Sequence, residues 1–162
     1  MENFLKRHIG NPMINALGRW KERRNFTRDP ILIGGCGRSG TTLLLAILSA
    51  HPNIFAFSRE LVAVVDWKPA DNDPDSLEPA RLDRLYRELL WRRIPPSAQR
   101  WCEKTPRNVH HIDKILDFWP NSRFFHIVRD PRDVLTSRHP TRPDEYWVSP
   151  ERWVRDVRAG LA

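Results

Sequence analysis

The sequence predicts an α/β domain of three layers, a mostly parallel sheet with helices on both faces. Three observations predict it. Apolar runs at 31–34 (ILIG) and 123–128 (RFFHIV) have the length and composition of buried strands. A strongly amphipathic stretch at 80–93 carries helical periodicity between them. Each strand runs into a turn and then into a helix, the order that builds parallel sheets. No internal repeat interrupts this order.

In chain order, residues 1–29 are basic and weakly periodic and are expected to form a leader with one short helix, ahead of a domain spanning 30–162. The strand 31–34 meets a glycine turn at 35–40, and a helix follows over 41–50, with Thr41 at its start and good helix formers after it. His51-Pro52-Asn53 ends that helix. A short strand is expected at 54–57 and a short helix or turn at 60–67. The Pro- and Asp-rich stretch 69–79 reads as an exposed loop. In the helix 80–93, Leu82, Leu85 and Leu89 share one face, and Pro95-Pro96 stops it. A strand at 100–103, a helix at 107–118, the buried strand 123–128 and a helix from Asp130 to Arg138, with Pro131 in its first turn, come next. Prolines 140, 143 and 150 predict a loop, and 151–161 a last helix.

The chain has 162 residues, enough for one core, and 40% of them are hydrophobic, with seven Trp and seven Phe, which excludes a disordered chain. The longest apolar stretch, Leu43–Leu48, is far short of the ~18 residues of a membrane span. The N-terminus lacks the apolar core of a signal peptide, so a cytoplasmic location is expected and the Asn25 sequon reads as accidental. Cys36 and Cys102 have no metal-type spacing and are expected to be reduced. His110-His111 lack a spaced third ligand, so no metal is expected. His126 is expected to be a satisfied core histidine. The net charge is +7. Residues 1–28 hold seven Lys/Arg against two acids, and 81–107 hold eight against three. Such a surface favours anionic partners, although a merely solvated basic face would have the same composition.

The segment Ile31-Leu-Ile-Gly-Gly-Cys-Gly-Arg-Ser-Gly-Thr-Thr42 carries the chemistry. A strand, a glycine turn and a helix together form a phosphate cradle: backbone N–H groups point inward and the helix N-terminus adds about half a positive charge. Gly35, Gly37 and Gly40 allow the turn, Thr41 and Thr42 offer hydroxyls, and Arg38 is its strongest charge. The Gly35-x4-Gly40 spacing is that of a P-loop nucleoside triphosphatase, but Thr41 stands where that motif has Lys.

At this point the chain resembles a known family. GGCGRSGTTLLLAILSAHPN is similar to the 5′-phosphosulfate loop of sulfotransferases that use PAPS (3′-phosphoadenosine 5′-phosphosulfate), in the manner of the bacterial and protein-tyrosine members. The resemblance implies that residues Gly35, Cys36, Gly37, Arg38, Ser39, Gly40, Thr41 and Thr42 hold the phosphosulfate. It also implies a P-loop-like three-layer fold. A second stretch, from Phe124 to Ser137, resembles the family's 3′-phosphate motif. The family's Arg falls on Arg129 and its Ser on Ser137, eight positions later. The plainer reading of that stretch is an ion-pair cluster of Arg129, Asp130, Arg132 and Asp133 on a solvated helix start. Two phosphate clamps, one for each end of PAPS, favour this donor over ATP.

Transfer of a sulfonate needs charge stabilisation at the leaving oxygen and a base for the acceptor. Arg38 and Lys104 are the cationic candidates, the latter because Glu103-Lys-Thr-Pro resembles the family's K-T-P segment. Glu60 is the base candidate, placed after His51-Pro52 as in the family, with Leu61 where the family often has Thr; Asp66 is the second choice. The implied activity is transfer from PAPS to a hydroxyl or amine, without metal, releasing PAP. The acceptor, whether carbohydrate, lipid, peptide or small molecule, is not written in the motifs. The family domain normally continues past the second motif, so a shortened PAP/PAPS-binding module without catalysis is a rival. A P-loop nucleotide kinase, with Asp130 on magnesium, is another. Nucleic-acid binding would rest on charge alone.

Overall fold

The computed structural model describes residues 10–70, 73–139 and 141–162. Within the stretch expected to be a leader, α1 (Asn11–Asn25) is a 15-residue helix with Pro12 in its first turn. Then follow β1 (Ile31–Gly35), α2 (Thr41–Ser49), β2 (Ile54–Ala56), β3 (Trp67–Ala70), β4 (Asp73–Pro79) and α3 (Leu82–Trp91). The second half holds β5 (Arg100–Lys104), a 3-10 helix (Pro106–His111), α4 (Ile112–Phe118), β6 (Arg123–Ile127), α5 (Pro131–Leu135) and α6 (Pro150–Ala159).

The main sheet is parallel, in the order β2-β5-β1-β6. Alternation along β1 sorts its two faces. Leu32 points into a core with Phe26, Leu82, Leu85, Tyr86, Leu89, Trp101 and Ile115, which α1, α3 and α4 cover. Ile31 and Ile33 point the other way, against Leu45 of α2. Helices therefore flank both faces of a parallel sheet, as the strand-helix alternation predicts. The Leu82/Leu85/Leu89 stripe is fully inside, because its spacing puts all three on one side of α3. Gly18 lets α1 lie directly on Tyr86: a Cβ there would sit 2.2 Å from the tyrosine Cβ.

Several expectations are corrected. The 60–66 stretch is neither helix nor strand; Arg84 holds its backbone by donating to the Val62 carbonyl, while Ala63, Val64 and Val65 are buried. The 69–79 stretch is a hairpin: β3 and β4 pair antiparallel from Trp67↔Pro79 to Ala70↔Asp73, with an irregularity at Pro69/Ala70. The 107–118 helix is broken at His111, where the 3-10 turn gives way to α4. The strand at 123–127 is an edge strand and only partly buried, with Phe125 exposed. His126 is only half-buried, and among the described residues its buried Nε2 has no partner; burial lowers its pKa. The helix after Asp130 stops at Leu135, so Ser137 lies just beyond it. Residues 1–9 of the leader, 71, 72 and 140 lie outside the described residues.

Candidate active site

The carboxyl ends of β1, β5 and β6 meet at one edge of the sheet, where open parallel sheets bind ligands. β1 ends at Gly35, whose φ of +143° only glycine adopts without strain, and a Cβ there would stand 2.5 Å from the Ile127 carbonyl of β6. The Ser39 amide closes the turn on the Cys36 carbonyl at 3.3 Å. Arg38 is exposed, with φ +68°. Gly40 (φ +99°) opens α2, and no side chain caps the helix, so its first N–H groups face outward without a side-chain acceptor. No atom lies within 4 Å of a Cβ built on Gly40. Among the described residues, the buried Ser39 hydroxyl has no partner. Thr41 is buried and Thr42 exposed. An oxyanion fits this cradle: it would accept from the uncapped N–H groups and the orphaned hydroxyl. Cys36 contributes backbone only. Its thiol is fully buried, and burial beside Asp156 pushes its pKa up to about 11.

Lys104 ends β5 beside this turn, in register with Ile33. Its ammonium donates to Glu60 Oε1 at 2.5 Å; the lysine side chain is 8% exposed and the glutamate 43%. These two catalytic candidates, 44 residues apart in sequence, are thus in direct contact. Beneath them lies a residue the sequence reading passed over. Glu103 is 1% exposed and accepts from Leu61 N (3.1 Å), Thr105 Oγ1 (2.5 Å) and Asn108 Nδ2 (2.8 Å). It ties the segment carrying Glu60 to the strand end carrying Lys104. Burial raises its pKa, against the lowering effect of its three donors.

Arg129 follows β6. Its guanidinium donates to Asp133 Oδ2 (3.2 Å) and to the carbonyl of Arg38 (3.3 Å), so the second motif touches the first. Ser137 gives its hydroxyl to the Asp133 carbonyl (2.8 Å), and its own carbonyl accepts from Trp147 N (3.1 Å). The Trp147 indole reaches Gly37: a Cβ there would lie 3.0 Å from Nε1. On α6, Trp153 Nε1 donates to the Arg129 carbonyl (3.3 Å). The buried Asp156 contacts His110 Nε2 (2.9 Å), Arg152 and Arg155. The last helix therefore clamps both corners. Among the described residues, no hydrogen bond or ion pair joins Arg38 to Lys104 or Glu60, or Arg129 to Ser137. Asp130 caps α5 by accepting from Arg132 N and also binds its guanidinium, which holds the carboxyl down at about 2. That carboxylate is committed to its own helix start rather than offered to a cation.

The model of the sulfotransferase family matches residues 30–159, both corners included. The chain belongs to the sulfotransferase family. Among relatives of this sulfotransferase-family chain, a protein-tyrosine sulfotransferase of Drosophila melanogaster is 29% identical over 122 residues, 66% of this chain and 24% of that protein. Protein-tyrosine sulfotransferase 1 of Mus musculus is 31% identical over 121 residues, 66% and 33%. A putative protein-tyrosine sulfotransferase of Caenorhabditis briggsae is 28% identical over 117 residues, 66% and 41%. The chain thus spans less than half the length of these curated relatives. Among the described residues, no helix is long and apolar enough to cross a membrane.

Sequence reasoning about this sulfotransferase-family domain missed Glu103, Asn108, Asp156, Trp147 and Trp153. For Glu103 a signal existed: Glu103-x-Thr105-x-x-Asn108 places two side-chain donors within one turn of a strand end. For Asp156 and the tryptophans there was none, because their partners at Cys36, Gly37, His110 and Arg129 are distant in sequence.

Proposed function

We propose that this chain transfers a sulfonate group from PAPS, its donor substrate, to a hydroxyl or amine acceptor and releases PAP. One observation supports the reading: Arg129 bonds the backbone of Arg38, so the two turns that the reading assigns to anions adjoin at the sheet edge, with the Lys104–Glu60 pair at the neighbouring strand end. Two phosphate-sized charges, one at each corner, suit a 3′,5′-substituted adenosine better than a triphosphate, whose charges are consecutive. We take residues 30–162 as the PAPS-binding unit.

In this reading the uncapped start of α2, Ser39, Thr41 and Thr42 hold the 5′-phosphosulfate. Arg129 and Ser137 hold the 3′-phosphate, the arginine exchanging Asp133 for the phosphate. The acceptor oxygen attacks sulfur, the bond from sulfur to the 5′-phosphate oxygen breaks, and PAP leaves with that electron pair. Glu60 takes the acceptor's proton. Arg38 and Lys104 offset the charge growing on the leaving oxygen. Lys104 enters this role by turning from Glu60 toward the sulfonate, which also frees the carboxylate to act as base.

The relatives' names make a peptide tyrosine the first acceptor to test. The experiment is transfer of labelled sulfonate from PAPS to a tyrosine peptide, beside hydroxyl-bearing sugars and phenols. Label in any acceptor supports the reading, and PAP binding without label in any of them supports a second one. That second reading, a PAP-binding module without transfer, draws on the small share of each relative that the match covers.

A further inference from the structure

α1 is turned the wrong way for an ordinary surface helix. Its inward side carries Glu22, which accepts from Trp101 Nε1 (2.6 Å) and Tyr86 OH (3.0 Å), and Lys21, which donates to the Leu90 and Arg92 carbonyls. Its outward side carries Met13, Leu17 and Trp20, which are 58%, 49% and 59% exposed. Their spacing makes one continuous stripe, and Pro12 and Ala16 beside it are exposed too. Scattered apolar residues on a surface need no cause, but a contiguous stripe ending in Trp does.

The stripe runs into a group of cations. The Arg24 guanidinium lies over the Trp20 ring, 5.2 Å from its centre, and Arg23 and Arg24 are exposed. Arg23 shares a cleft with Arg28. Arg28 shares the next, of about 370 Å³, with Arg100 and Arg123. Among the described residues, none of these five arginines has an ion pair with a carboxylate. Burial first, and then Arg28 and Arg123 nearby, lower the Arg100 pKa, while Asp29 acts the other way. Asp29 lines both clefts and Glu22 the first, so the guanidiniums outnumber the carboxylates and leave an excess of positive charge that an anion would offset.

We propose that α1 and this arginine group form a docking surface for an anionic lipid bilayer. Met13, Leu17 and Trp20 enter the headgroup boundary, and Arg23, Arg24, Arg28, Arg100 and Arg123 neutralise headgroup phosphates. A second copy of the chain is disfavoured by the like charge of the face. A nucleic acid would leave the apolar stripe without a partner. Arg28, Arg100 and Arg123 stand at or before the starts of β1, β5 and β6, whereas the anion cradle is at the strand ends, about 15 Å away along the sheet. A docked molecule therefore keeps its cradle open to the aqueous side.

The test is co-sedimentation of the full chain with vesicles of phosphatidylcholine alone and of phosphatidylcholine with 30% phosphatidylglycerol (roughly the anionic share that gives a strong surface potential). The expected result is binding to the mixed vesicles only, weakened by salt. Leu17→Gln with Trp20→Gln should reduce it at least tenfold, and each Arg→Gln at 23, 24 or 28 roughly fivefold. These positions are exposed, and PAP binding should not change, which separates this inference from the proposed activity. Absence of vesicle binding, equal binding to both compositions, or binding untouched by these substitutions would overturn it. So would a dimer of the chain that the Leu17/Trp20 pair of changes dissolves, or capture of an acidic protein with no vesicle binding.

Discussion

Arg129 Nη1 lies 3.3 Å from the carbonyl oxygen of Arg38, and that single bond joins two turns 91 residues apart. It brings the end of β6 against the loop after β1, which the parallel pairing Gly35↔Ile127 already sets side by side. A guanidinium so placed can bridge from the loop to a phosphate beyond it.

Replacing Arg129 by Ala should therefore weaken PAP far more than AMP, which lacks the 3′-phosphate. A charge-assisted bond contributes about 1.5–3 kcal/mol, so PAP affinity should fall roughly 10- to 150-fold. Calorimetric titration of both ligands into both proteins measures this. An equal loss for PAP and AMP would assign Arg129 to the loop's shape rather than to the 3′ end.

Lys104→Ala and Arg38→Ala should each abolish sulfonate transfer. Glu60→Gln should lower kcat about 10²- to 10⁴-fold, the range of a lost general base, with PAP binding preserved. The rate of label transfer at saturating PAPS decides. Wild-type rates in both cation variants would remove them from the mechanism.

Glu103→Gln tests the buried tie between Glu60 and Lys104. The amide keeps one acceptor oxygen and puts an NH2 where the other stood, so the three donors can no longer all be met, and about 1–3 kcal/mol of stability should be lost in urea unfolding. Burial raises the Glu103 pKa, so the folded chain holds that proton more tightly than the unfolded one. The stability from this linkage is full below the ordinary value of 4.5 and is lost as pH rises through the raised folded value. The Gln variant should lack that decline. A variant with the wild-type pH profile would contradict the assignment.

Much of the fold could be read from the chain because its signals are local. The glycine turn and the Leu82/Leu85/Leu89 stripe need only their own neighbours. What failed depends on distant pairing. Nothing in RFFHIV says whether a neighbour lies on both sides, so an edge strand reads like a central one. The Asp/Pro-rich 73–79 stretch becomes a strand only because Trp67–Ala70 pairs with it. At the site, Lys104 and Glu60 could each be named from the family resemblance, but their contact spans 44 residues and leaves no local signal.

Both cysteines are wholly buried, and burial pushes Cys36 up to about 11 and Cys102 up to about 12 from an ordinary 9.0. The folded chain keeps these protons longer than the unfolded chain. Stability tied to them is intact below pH 9 and is lost as pH rises through the folded pKa. Urea midpoints at pH 8 and 10 should show the drop, and Cys102→Ala should lessen it. A disulfide reagent at pH 8 should label neither thiol before unfolding, and rapid native labelling would contradict their burial.

Gly18→Ala should destabilise the chain by about 1–3 kcal/mol by forcing α1 off Tyr86. A thermal melt checks it, and an unchanged midpoint would mean that the helices do not meet there.

The most direct test of the paired-corner account is ligand-dependent thermal stability, PAP against magnesium-ATP at matched concentrations. A ligand gripped at both ends should raise stability by about 2.7 kcal/mol at a hundredfold excess over its Kd, and PAP should do so while magnesium-ATP has little effect. Stabilisation by magnesium-ATP with none from PAP would contradict the account.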